Sequence, residues 1–163
     1  MGPLAARGFT LVEILVVLVI LAIAGGLAVV VLDRDERGTA AREAKRFAGA
    51  LEYAAARAQS RNETLGVTAD RAIRFWRREP NGDRWLPLDD DDTLAAHPLP
   101  EPFSAAPFTY AGQRIAGNAI VPLRASGRNE PFAFALMSPA WRVMLAADPL
   151  NHVTIAGPVA IAP

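Results

Sequence analysis

Cysteine is missing from all 163 residues, which excludes disulfides, thiolate metal sites and thiol nucleophiles. Any domain in the chain is therefore held by packing alone. Histidine is almost missing: His97 and His152 stand in unrelated turn-like contexts and read as solvated loop residues rather than ligands or bases. Lysine is confined to Lys45. No charge of one sign dominates, since Lys plus Arg and Asp plus Glu both total 17, so no overall field points to nucleic acid or anionic lipid. After Arg142 there is no lysine or arginine at all, whereas a DNA-binding track must neutralise phosphates. Arg71, Arg74, Arg77 and Arg78 form a local basic group, but an acidic loop follows. Also lacking are a P-loop, a dinucleotide fingerprint and a Gly-x-Ser-x-Gly elbow. Ser126 and Ser138 stand beside glycine or proline as turn residues. No catalytic residue, cofactor, metal, nucleic acid or small-molecule ligand is expected.

What the sequence does contain is one long apolar run. From Phe9 to Leu32 it is interrupted only by Thr10, Glu13 and Gly25-Gly26. As a helix, residues 9–32 would be about 36 Å long, enough to cross a hydrocarbon core of roughly 30 Å with some tilt. Glu13 is the anomaly. An acid in a membrane helix costs on the order of 2–3.5 kcal/mol at the centre and less near the interface, so it is a functional residue by default. Its alternative is an idle position at headgroup level. The preceding residues, MGPLAARG, carry one charge, Arg7. In a secretory signal the small-residue cleavage site follows the apolar core; here Gly8 precedes it, so cleavage between Gly8 and Phe9 would retain the helix as an anchor. Arg7 on one side and the mixed run Asp33–Arg37 on the other favour a cytoplasmic N-terminus.

Beyond Leu32 no proline occurs before Pro80. Ala40, Ala44, Phe47, Ala48, Leu51, Ala55 and Ala58 recur at helical spacing, with Arg42, Glu43, Arg46, Arg57 and Gln59 filling much of the opposite face. One helix from about Thr10 to about Ser60 is predicted. Gly25-Gly26 and Arg37-Gly38-Thr39 are the places for a kink or local melting. The alanine stripe is either domain core, which is preferred, or a seam with another subunit.

From Asn62 the pattern turns to period two. Strands are predicted at Thr64–Ala69, Ala72–Arg78, Arg84–Leu88, Phe108–Tyr110, Ala119–Leu123, Phe132–Met137, Trp141–Ala146, His152–Ile155 and Val159–Ile161. Pro80-Asn81-Gly82-Asp83 marks a hairpin turn. Asp89–Asp92 suggests calcium by composition, but four consecutive aspartates point in different directions and read better as a solvated loop. His97–Pro107 is proline-rich and reads as irregular. Trp76, Trp85 and Trp141 are core or contact residues, or less plausibly a ligand platform. The fold class is α+β: a long helix packed on antiparallel sheet. The segments are 1–8 as leader, 9–32 as membrane helix, 33–61 as amphipathic helix and 62–163 as a β-rich domain.

Gly8-Phe9-Thr10-Leu11-Val12-Glu13 before an apolar run resembles the type IV prepilin family, which includes the pseudopilins of type II secretion. Later features resemble its H-type minor pseudopilins: Leu51–Ala58, Gly66-Val67, Phe75-Trp76, Trp85–Leu88, Pro131–Phe134 and Asp148–Asn151. The resemblance implies cleavage after Gly8 by a prepilin peptidase and methylation of the new amino group on Phe9. It implies pairing of Glu13 with the N-terminal amine of a neighbouring subunit in a helical filament. The partners implied are the major pseudopilin and the other minor pseudopilins, with inner-membrane lipid before assembly. The exported domain would lie in the periplasm, near the filament tip. The alternative is a minor type IV pilin serving pilus assembly, adhesion or DNA uptake.

Overall fold

A computed structural model describes residues 11–80 and 82–161. Helix α1 runs without a break from Leu11 to Ser60, so the helix is not melted at Gly38 and Thr39. The chain divides after Glu36 into two units. In the first, the side chains described are Leu11–Ile23, Asp35 and Glu36, and the large apolar ones among them are exposed, from Leu11 at 83 % to Val17 at 45 %. The expected membrane segment, residues 9–32, thus lies only partly within the described residues. Among these, no helix is long and apolar enough to cross a membrane.

The second unit, from Arg37 onward, holds the last part of α1 and ten strands. These are β1 (Leu65–Ala69), β2 (Ala72–Arg78), β3 (Trp85–Pro87), β4 (His97–Pro98), β5 (Ser104–Tyr110), β6 (Gln113–Arg114), β7 (Val121–Leu123), β8 (Phe132–Met137), β9 (Trp141–Ala147) and β10 (Val153–Ala160). They form two antiparallel sheets. One has the order β3-β2-β1-β7, with β4 also on β2; the other has the order β10-β9-β8-β5-β6. The segment around His97–Pro107, read as irregular, in fact supplies β4 and the first half of β5. There Ala105 and Ala106 pair with Leu136 and Ala135, and prolines are tolerated because Pro98 and Pro107 sit at a strand end and beside a bulge. The two last predicted strands are one, β10, with a bulge between Ala156 and Val159. Gly157 occupies that bulge at φ 113°, and a Cβ there would stand 2.8 Å from the Arg142 carbonyl oxygen.

The alanine stripe of α1 is domain core. Ala40, Ala44, Phe47, Ala48, Leu51, Ala55 and Ala58 are all buried, in one cluster or beside it, with Leu65 and Val67 of β1, Phe134 and Leu136 of β8, and Val143 and Leu145 of β9. Alanines let the sheets approach the helix closely; Phe47 fills the centre. Its ring meets Phe134 edge-on, with centroids 5.0 Å apart at 64°, an arrangement worth about 0.5–1.5 kcal/mol beyond area burial. β8 is buried from Phe132 to Leu136, as befits a strand with neighbours on both sides. The tryptophans are structural. Trp141 is buried with the Arg37 guanidinium 5.4 Å above its ring, Trp76 donates to Thr68 at 2.9 Å, and Trp85 covers Gly66, where a Cβ would come within 2.6 Å of its ring.

Candidate functional site

Gly8 and Phe9 lie outside the described residues. Glu13 is in the first turn of α1, exposed among Leu11, Val12, Ile14 and Leu15. The large apolar side chains around it are exposed in this unit. Such a surface, carrying one carboxylate, suits burial in lipid or among other helices.

In the second unit the chief polar construction was not foreseen. Arg57 is expected on the outer face of α1, but it is 3 % exposed. Its Nε donates to Glu63 at 2.8 Å, its Nη1 to Asp91 at 2.7 Å, and its Nη2 to the two oxygens of Asp90 at 2.9 and 3.1 Å. The Tyr53 hydroxyl donates to the same Asp91 oxygen at 3.0 Å. Burial by itself would lower the Arg57 pKa, but its three carboxylate partners reverse this and hold the guanidinium charged. Burial would likewise raise the Asp91 carboxyl; the Arg57 guanidinium, the Tyr53 hydroxyl and the Thr93 N–H hold it below the usual carboxylate range. Asp90 is lowered chiefly by its bonds to Arg57. The Asp89–Asp92 run is therefore not simply a solvated loop. Two of its carboxylates are tied to α1, and Asp91 is largely buried.

The segment beyond these aspartates runs beside α1 and is tied down again at His97, whose Nε2 lies 2.9 Å from Glu43 Oε2. His97 is thus half-buried and hydrogen-bonded to the helix, not a free loop side chain. His152 is exposed beside Asp148. The sequence did hold a signal: Glu43, Arg46, Ala50, Tyr53 and Arg57 follow one another at three- and four-residue spacing, forming a single flank of α1. That flank faces the 89–98 segment. Among the described residues no cluster of His, Asp and Glu is suited to a metal. Of the arginines considered for DNA, Arg77 meets Asp90 at 3.4 Å, Arg78 pairs with Asp83, and Arg71 stands 3.9 Å from Glu101.

Comparisons with known proteins agree with a filament subunit. Residues 4–29 match the prokaryotic N-terminal methylation motif, and residues 43–148 match the type II transport protein GspH family. The type II secretion system protein H of Pseudomonas aeruginosa is 33 % identical over 140 residues, which cover 82 % of this chain and 77 % of that protein. Its Escherichia coli K12 namesake is 38 % identical over 90 residues, and that match spans only about half of either protein, 52 % and 53 %. The minor pseudopilin EpsH of Vibrio cholerae has the same fold, with a TM-score of 0.58 at 18 % identity over 74 % of this chain and 96 % of that structure. The E. coli GspH solution structure gives 0.56 at 22 % identity over 77 % and 94 %. With the methylation motif at its start, the H-type domain over most of its remainder and the fold of solved pseudopilins, the chain belongs to the H-type minor pseudopilins of type II secretion systems.

Proposed function

We propose that this minor pseudopilin is cleaved between Gly8 and Phe9 by a prepilin peptidase, N-methylated on Phe9, and drawn from the inner membrane into a periplasmic filament. Residues 9–32 cross the membrane with the N-terminus in the cytoplasm, and the β-rich domain is exported. In the filament Glu13 pairs with the amino terminus of an adjacent subunit and sets axial register. The chain sits near the tip, between the major pseudopilin and the other minor ones, as a structural part and not an enzyme.

The observation that carries this reading is the register of Gly8, Phe9 and Glu13 ahead of an apolar helix, supported by the exposed apolar surface of α1 around Glu13. A carboxylate in lipid is driven to protonate, whereas beside a cationic amine in a helical bundle it stays charged. The test is Glu13→Ala in the full chain. Membrane insertion should persist, as fractionation would show, and incorporation into filaments should fall. Normal assembly of that variant would refute the pairing, and mass spectrometry finding residues 1–8 on the assembled protein would refute the processing.

A further inference from the structure

Between α1 and the 89–98 segment, flanked by the Arg57–Asp91 and Glu43–His97 ties, lies a cavity of about 300 Å³. Phe47, Ile73 and Phe75, all buried core residues, form its apolar lining, with Ala95 and His97 on the loop side. Gly49 lines it on the helix side. This glycine is exposed, and a Cβ built on it would meet nothing within 4 Å. It lies inside a helix and its φ is not in the left-handed region. Glycine there costs about 0.8–1 kcal/mol relative to alanine, and neither the backbone nor the packing of this domain demands it. The space it leaves opens outward.

On the helix side, the charges around the opening that have no ion pair among the described residues and no hydrogen bond to another element are basic. Arg42, Lys45 and Arg46 stand one to two turns before Gly49, and none of them has an ion pair among the described residues; Arg42 donates only to the Thr39 hydroxyl. The nearby helix carboxylates are already engaged, Glu43 by His97 and Glu52 by the Val153 N–H, as is Asp91 by Arg57. Asp92, on the loop side, is the exposed exception that also lines the cavity.

We propose that this cavity receives an apolar side chain borne on an acidic segment of a neighbouring pseudopilin, with Gly49 leaving the entrance open and Arg42, Lys45 and Arg46 meeting the carboxylates. An anchor side chain in a desolvated pocket with charges at the rim is the arrangement by which a few residues dominate an interface. The inference rests on the chain being a filament subunit, and it adds which surface selects the neighbour.

The test is co-purification of the full-length chain, in detergent, with each sister pseudopilin co-expressed singly. Gly49→Leu should fill the cavity and lower recovery of one sister subunit about tenfold or more, with the melting temperature held or raised. Gly49→Ala should retain the partner. Ala56→Leu, exposed on the same helix two turns on, should retain it as well. Reversing Arg42, Lys45 and Arg46 to glutamate should also lose the partner, and added salt should weaken wild-type recovery. If wild type recovers a sister subunit and Gly49→Leu recovers it equally, the pocket is refuted and the filament reading stands. If wild type recovers none, both fall.

Discussion

Replacing Arg57 by methionine tests whether the buried guanidinium holds the 89–98 segment on the helix. Methionine keeps most of the length and apolar contact of the arginine stem but leaves Glu63 and Asp91, at 15 % and 8 % side-chain exposure, without their cation. Breaking a buried pair by removing one partner costs about 3–5 kcal/mol. Asp90 is half exposed and adds little, and the loop can turn its carboxylates to water. A loss of about 2–4 kcal/mol is therefore expected, reaching below that range. Denaturant unfolding of the full chain in detergent should show the midpoint fall with the slope unchanged. Acid provides a second readout. Asp90 and Asp91 have lowered pKa values in the fold, so the unfolded chain takes up protons first as pH falls. Their stabilisation is complete above the ordinary carboxylate range and is lost as pH drops through the folded values. Wild type should therefore lose stability on acidification below about pH 4 more steeply than Arg57→Met. A variant within about 0.5 kcal/mol of wild type, the margin of an ordinary surface change, and with the same acid profile would refute the argument.

Gly66→Val should destabilise by about 1–3 kcal/mol, because even a Cβ lies 2.5 Å from Ile120 Cγ2 and 2.6 Å from the Trp85 ring; tryptophan fluorescence should report displacement of Trp85. Asn129→Leu should cost about 1–3 kcal/mol by stranding the Arg124 N–H and the Asn151 side chain, which it meets at 2.7 and 2.6 Å; thermal unfolding would measure it, and an unchanged transition would contradict the pairing. Phe134→Ala, at the ring contact with Phe47, should cost about 3–5 kcal/mol in denaturant titration.

The helix and most strands were legible because their signals are local. The stripe from Ala40 to Ala58 repeats at helical period, and β2 alternates Ile73 and Phe75 with Arg74 and Trp76 as its burial does. The Arg57 site was not legible, because a single arginine at the stripe's edge looks solvent-facing until a carboxylate arrives from more than thirty residues away. His97 was misjudged for the same reason, its partner Glu43 being 54 residues earlier. The proline-rich segment ahead of Phe108 hid β4 and half of β5, since propensity disfavours proline while pairing with β2 and β8 overrides it. Glu13 stood out because the cost of a carboxylate in an apolar run requires no tertiary knowledge.

The outer border of β10 answers a hazard common to sheet proteins. A bare strand border invites another copy to zip onto it and form aggregates. Here the Val153 N–H is already taken by the Glu52 carboxylate at 2.9 Å, Pro158 offers no donor, and the bulge beside Gly157 breaks the regular spacing. Uncontrolled ribbon growth is discouraged at that margin.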